Sequence, residues 1–294
     1  MREILRYEEP LFRPPCEAGS LIVQVTLGCP HNRCAFCNMY KVKKYRVRDP
    51  EEVKAELRRA RLAFPYVETI FLADGNTIAM NSEKLADIIR YIRDLFPEVR
   101  RISSYGGARF LKGKPVKALR MLREAGLDII YFGLESGDDE TLARMEKGVD
   151  SRGMIEAARR VKEAGIDLSV YVLLGLGGEE RWRQHAENTA HVLNAMQPQY
   201  IRPRTLYLLP GMPLYDDARA GLFREASGET VMRELQVMLS LLDLEDTWFL
   251  SDHISNYVPV YGHLPEDREK MLRTVEMALD RAEVYLAPRH LTHL

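Results

Sequence analysis

Apolar positions along this chain switch repeatedly between short continuous runs and a period of 3.6, the signature of strands alternating with helices. The run Leu21-Ile-Val-Gln-Val-Thr-Leu27 is β-branched and stops at Gly28, which predicts a buried strand. Asp49, Pro50 and Glu52 then supply an N-cap, a proline at the first helical position and an acidic residue at the third. Val53, Leu57, Ala60 and Phe64 continue at helical spacing, predicting a helix over 50–63. A second unit joins a strand over 69–74 to a helix capped by Ser82, with Leu85, Ile88, Ile89, Ile92 and Phe96 on one face until Pro97. A third joins Arg101-Ile-Ser-Ser-Tyr105 to a helix over 115–125. Arg123-Glu-Ala-Gly-Leu-Asp128 and Lys162-Glu-Ala-Gly-Ile-Asp167, 39 residues apart, each place glycine where a helix should stop and a strand follow. A sixth strand near 200–207 precedes a helix over 229–242, and Pro265 to Leu286 reads as a C-terminal amphipathic helix. Six such units force parallel neighbours through right-handed crossovers, which fits either an open doubly wound sheet or an incomplete (β/α) barrel.

Composition changes this picture little. The 294 residues are 46% hydrophobic and 29% charged, the balance of an ordinary globular chain with a sizeable core. A net charge of -1 offers no electrostatic reason for a nucleic-acid or membrane partner. No stretch approaches the roughly 20 apolar residues that span a bilayer, and the first ten residues lack the apolar segment of a signal peptide, so a cytoplasmic location is expected. The expected organisation is an extension over 1–20, a core over 21–210, and a last barrel helix with a capping region over 211–294.

Chemistry concentrates in the loop that follows the first strand. Cys29, Cys34 and Cys37 fall within nine residues, and three crowded thiols in a reducing compartment read as a metal site rather than a disulfide framework. Thiolates are soft donors, and three on so short a loop suit an iron-sulfur cluster with one iron left open. Zinc is the rival, with His31 or Cys16 as a fourth ligand, but the second ligand pair usual in structural zinc sites is absent. Cys16 stands apart and reads as an inert thiol.

With Phe36 just before its last cysteine, the loop resembles that of the radical S-adenosylmethionine superfamily, and the resemblance runs over roughly 20–210. The family spacing is CxxxCxxC; here one more residue separates the first two cysteines. Asp74-Gly75-Asn76 matches by position the Gly-Gly-Glu turn whose backbone meets the amino group of S-adenosylmethionine. Tyr131-Phe-Gly-Leu-Glu135-Ser136 resembles the fourth-strand motif of the branch holding oxygen-independent coproporphyrinogen oxidases, methylthiotransferases and Elongator-type enzymes, in which the Glu-Ser pair faces the methionyl and ribose portions. Gly175-Leu176-Gly177 resembles the segment that lies against the adenine. The resemblance implies a partial (β/α)6 TIM-type barrel with a C-terminal helical extension. It also implies a 4Fe-4S cluster and S-adenosylmethionine as cofactors, with reductive cleavage to a 5′-deoxyadenosyl radical. Lys147 is a further candidate for the cosubstrate carboxylate, against a solvated helix end.

Substrate contacts are expected among residues that can face the barrel interior: Tyr105 on the third strand, Arg202 and Arg204 on the sixth, and His253 and Asn256 in a polar, aromatic C-terminal segment. An inward Arg202-Arg204 face would favour an anionic substrate group, and the alternative is a solvated or sheet-end ion pair. Lys41-Val-Lys-Lys-Tyr-Arg-Val-Arg48 is the one clear basic run; it reads as a solvated face or as a dock for reduced flavodoxin or ferredoxin. The expected partners are that donor and a small molecule or peptide. Cobalamin is not expected, because only about twenty residues precede the first strand, and four cysteines leave no room for an auxiliary cluster with four thiolate ligands. The competing functions are an RNA-modifying or RNA-binding protein on the same barrel, disfavoured by charge, and a non-catalytic metal scaffold.

Overall fold

The structure, a computed structural model, describes residues 4–286. Its elements are β1 (Leu21–Gln24), β2 (Thr26–Leu27), β3 (Arg46–Val47), α1 (Pro50–Ala63), β4 (Thr69–Ala73), α2 (Ser82–Leu95), β5 (Arg101–Tyr105), α3 (Ala108–Leu111), α4 (Val116–Ala125) and β6 (Ile129–Glu135). There follow α5 (Asp139–Arg144), α6 (Ser151–Glu163), β7 (Asp167–Leu174), α7 (Gly178–Met196), β8 (Tyr200–Thr205), α8 (Pro213–Arg219), α9 (Gly228–Leu241), β9 (Thr247–Ser251), β10 (Val260–Leu264), α10 (Arg268–Asp280) and α11 (Ala282–Tyr285). The class is α/β, and the main sheet is mostly parallel and does not close on itself, as in a partial TIM-type barrel. Among the described residues no helix is long and apolar enough to cross a membrane.

The chain divides into two compact units interleaved in sequence. The first takes the described part of Met1–Asn32 with Met39–Phe132 and Ala157–Leu168. Its parallel ladder runs through β1, β4, β5 and the start of β6, with Ile22 opposite Phe71, Phe71 opposite Ser103 and Ser103 opposite Ile129. The predicted first strand is broken after Gln24: Thr26 and Leu27 leave the ladder and pair antiparallel with Val47 and Arg46. Helix α1 covers the predicted 50–63, and the Asp49 carboxylate accepts from the Glu51 N–H. The cap of α2 is Asn81, whose side chain accepts from the Lys84 N–H, so Ser82 is the first helical residue and not the cap.

The second unit takes Arg33–Asn38, Gly133–Glu156 and the described part of Ser169–Leu294. Strands β7, β8 and β9 are parallel, and β10 returns antiparallel to β9. Helix α9 packs against both α7 and α10. The C-terminal region is helical from Arg268, as the periodicity predicts, but two strands precede it. They escape the sequence pattern because Trp248 and Tyr261 are large residues exposed on the outer positions of β9 and β10, so apolar groups occupy both faces and hide the alternation.

Candidate active site and cofactor cradle

In the first unit, the loop after β2 is tied down before its first cysteine. Gly28 lies in the left-handed region at φ 68°, where a side chain is strained, and a Cβ there would meet the Lys43 carbonyl at 3.2 Å. Its N–H donates to Asp74 Oδ2 at 3.1 Å, and Lys43 Nζ reaches the same oxygen at 2.8 Å with both side chains buried. Lys43 also donates to the carbonyls of Glu8 and Pro10, and Gln24 Nε2 to Asp74 Oδ2. Burial pushes the Asp74 carboxyl up, while the Lys43 ammonium and the Gly28 N–H pull it down. The basic run is therefore no uniformly solvated face: Lys43 turns inward to Asp74, and Arg48 forms a paired fork with Glu56 at 2.8 Å. Each buried carboxylate needed a cation, and the run supplied both.

Asp74-Gly75-Asn76 abuts the first thiol residue. A Cβ on Gly75 would lie 2.7 Å from the Tyr40 ring and 3.2 Å from Cys29 Cβ, so only glycine allows this approach. Asp74 Oδ1 and Asn76 Oδ1 are buried and have no hydrogen-bond partner among the described residues. Two orphaned acceptors beside a glycine turn and a thiol are what the ammonium end of S-adenosylmethionine would meet, so the residues present fit that group.

The longer Cys29–Cys34 spacing contains one non-glycine residue with a left-handed backbone, Asn32. Its φ is 45°, its Nδ2 donates to the Tyr40 carbonyl at 2.7 Å, and its own carbonyl accepts from Lys41 Nζ at 2.9 Å. Asn32→Gly should keep the turn and lose one bond, about 1 kcal/mol. Asn32→Val should add roughly 1–2 kcal/mol of left-handed strain. Thermal melts of the apoprotein and iron content after reconstitution check the order, glycine being the milder change.

In the second unit, Cys34 and Cys37 are half-buried and in no disulfide, on a turn closed by the Cys37 N–H to the Cys34 carbonyl at 3.2 Å. Ala35 fastens that turn, donating its N–H to the Met145 carbonyl and accepting from the Leu214 N–H, each at 3.0 Å. Phe36 packs against a cluster of Ala35, Met145, Leu176, Leu206, Leu214 and Phe223, so Leu176 supports the turn through its side chain. Lys147 is no solvated helix end. Its Nζ lies 5.5 Å from the centre of the Phe36 ring and 3.3 Å from Glu135 Oε1. Burial pulls Lys147 down, but the charges of Glu135 and of the Cys34 and Cys37 thiolates outweigh it and hold the ammonium above its ordinary value. Among the described residues no three His, Cys, Asp or Glu side chains are gathered to hold a single metal ion. The fit to a cluster lies in the donor set, three thiols on one short loop.

Glu135 closes β6 with a left-handed backbone at φ 65°, which costs a non-glycine residue about 1–2 kcal/mol and needs outside support. His185 on α7 provides it. His185 Nε2 lies 3.3 Å from the Glu135 carbonyl, and Nδ1 lies 2.9 Å from Glu234 Oε1 on α9. Both carboxylate oxygens of Glu234 accept from the Gly175 N–H, at 3.2 and 3.1 Å. One fully buried pair thus fixes both the glutamate strand end and the glycine turn. With an oxygen facing each ring nitrogen, the doubly protonated imidazole suits the site. Burial lowers His185, but Glu234 outweighs it and raises the group above its usual range. Sequence reading missed this pair. A histidine and Thr189 on an otherwise apolar face of α7 were the available signal.

The other expected residues fall in several places. Ser136 is buried and its Oγ accepts from the Asp138 N–H at 2.9 Å, closing its own turn. Gly175 is left-handed at φ 82°, and a Cβ on Gly177 would meet Arg181 and His185 at 3.0 Å, so both glycines let α7 start close to the strand end. Tyr105 stands edge-on to Phe71 and Tyr131 in the first unit. Asn256 is buried, bonding the Pro203 carbonyl, Ser251 Oγ and Thr205 Oγ1, which pins β8 to the C-terminal segment. Arg202 donates from Nε to Ser169 Oγ, Arg204 lies over the Tyr171 ring, and His253 bonds Ser255. Cys16 contacts the Tyr131 hydroxyl at 3.3 Å, within the network of the buried Glu17.

Soft donors, an acidic strand end and close-approach glycines suit a protein that holds an inorganic cluster and a small cosubstrate. The chain belongs to the Radical SAM superfamily, whose family model matches residues 23–190. Enzymes of that superfamily use a 4Fe-4S cluster and S-adenosylmethionine. It is 26% identical over 230 residues to an uncharacterized protein of Methanocaldococcus jannaschii, covering 74% of this chain and 68% of that one. It is 22% identical over 154 residues to the heme chaperone HemW of Bacillus subtilis, covering 50% of this chain and 41% of HemW. Its fold is similar to methylornithine synthase PylB, with TM-score 0.54 and 16% identity over 91% of this chain and 85% of that one. Coproporphyrinogen III oxidase HemN of Escherichia coli gives TM-score 0.56 and 18% identity over 81% and 54%. These two likenesses speak to the fold. The chain spans less than half the length of HemW and of several other curated relatives it matches.

Proposed function

We propose that this enzyme cleaves S-adenosylmethionine reductively and uses the resulting 5′-deoxyadenosyl radical to abstract hydrogen from a small molecule or peptide. The proposed electron donor is reduced flavodoxin or ferredoxin. The observation that carries the reading is the pairing of Lys147 with Glu135 beside the Cys34-Cys37 turn. When bound, the cluster supplies one electron and an open iron, and S-adenosylmethionine supplies the radical precursor. Cys29, Cys34 and Cys37 would hold the cluster. Asp74 and Asn76 offer acceptors to the cosubstrate's ammonium, and the Lys147 ammonium offers its carboxylate a counter-charge. Gly75 in the first unit, and Gly175 and Gly177 in the second, each permit close approach of main chain to a ligand.

Anaerobic reconstitution followed by dithionite and S-adenosylmethionine tests this. Formation of 5′-deoxyadenosine, measured by chromatography, is expected. An intact cluster with no 5′-deoxyadenosine would return the chain to a non-catalytic scaffold.

A further inference from the structure

Buried and half-buried guanidiniums in this chain meet a carboxylate or another hydrogen-bond acceptor: Arg48 pairs with Glu56, Arg93 with Asp128, Arg101 with Glu17 and Arg181 with Asp138, while Arg202 donates to Ser169 and Arg268 to the Leu242 carbonyl. Arg204 does not. It is half-buried near the end of β8 and makes no ion pair or hydrogen bond among the described residues. Its contact is Tyr171, with the guanidinium carbon 4.5 Å from the ring centre. A guanidinium held over an aromatic face keeps its N–H fork directed outward in its own plane, and a partly desolvated charge in that position calls for a counter-ion.

The surroundings narrow what that counter-ion is. His253 Nδ1 accepts from the Ser255 N–H at 3.1 Å, which puts the ring proton on Nε2, and that N–H has no partner among the described residues. Ser255 Oγ in turn accepts from the N–H of Thr205, the neighbour of Arg204. Burial and the Arg204 charge push His253 down to about 4 against the pull of the exposed Asp252, so the imidazole offers a donor rather than a second charge. Arg202 shares the face but has its Nε committed to Ser169 Oγ at 3.0 Å. Opposite Arg204 in the ladder is Leu173, which packs against the cluster holding Phe36, the residue before Cys37.

We propose that Arg204 anchors a carboxylate of the enzyme's substrate, with the His253 Nε2–H as second donor. One fork and one neutral N–H match a planar monoanion. This assignment rests on the radical reading above, and wild-type cleavage of S-adenosylmethionine tests that reading separately.

The test is ligand-observed NMR on the reconstituted holoprotein with 3-phenylpropionate, 3-phenylpropionamide and inorganic phosphate as probes. The phenyl ring is chosen because Tyr171 and Tyr200 share the face with Arg204. The acid should bind on the order of tenfold more tightly than the amide, lose on the order of tenfold in Arg204→Gln, and recover part of this in Arg204→Lys. His253→Gln provides a second, independent weakening of the acid. Iron content and melting temperature show whether each variant is folded. Equal binding of acid and amide, or an unchanged affinity in Arg204→Gln, overturns the proposal. An Arg204-dependent response to phosphate alone overturns the carboxylate class. Displacement of the probe by S-adenosylmethionine overturns the substrate assignment, since Arg204 would then serve the cosubstrate's own carboxylate.

Discussion

Replacing any one of Cys29, Cys34 or Cys37 with serine should strip the reconstituted protein of most of its iron and lower 5′-deoxyadenosine formation by on the order of 100-fold or more. In the proposed site each thiolate is one of three protein ligands, and a serine hydroxyl is a hard, weakly acidic donor that does not substitute for it. Iron and sulfide analysis, with the visible cluster absorption, checks the first part, and product chromatography the second. Cys16→Ser is the contrast. That thiol lies against Tyr131 in the Glu17 network, and its loss should leave iron content unchanged. Loss of iron in Cys16→Ser, or full iron in any of the three loop variants, would revise the ligand set.

The second large effect belongs to the buried pair of His185 and Glu234. Glu234→Ala leaves a buried imidazole without its counter-charge and the Gly175 N–H without an acceptor, which should cost about 3–5 kcal/mol in urea unfolding. Glu234→Gln keeps the shape and removes the charge, so its loss should be smaller. Because the folded His185 holds its proton above the usual range, its contribution is fully present below about pH 6.5. It fades as pH rises through the raised value. Wild type should therefore lose stability between slightly acidic and alkaline pH, and Glu234→Gln should lose less over the same window. A parallel fall in both proteins would show that the pair does not titrate as the geometry requires. Both variants should also weaken S-adenosylmethionine binding by calorimetry, since Glu135 would no longer be held in its left-handed conformation.

What the sequence disclosed, and what it withheld, follows from the range of each interaction. Period and capping are local, so α1 and the glycine stops at 126 and 165 were legible residue by residue. The thiol loop was legible because its donors are neighbours in sequence. Partners far apart in the chain were not. Nothing local to Lys43 says that it will be buried against Asp74, so it reads as one charge of a basic run. His185 and Glu234 are 49 residues apart, and nothing in the neighbourhood of either names the other as its partner. Asn256 shows the opposite error: its polarity suggested a ligand contact, while the fold uses all of it to pin β8.

The tie between Gly28, Lys43 and Asp74 bears on how the enzyme survives oxygen. No thiol takes part in it, so the opening of the loop is ordered by hydrogen bonds and an ion pair alone. In small zinc domains, folding waits for the metal, and losing the metal melts the fold. Here a cluster lost to oxidation would leave the Gly28-Lys43-Asp74 tie in place, so the start of the loop needs no metal to stay ordered.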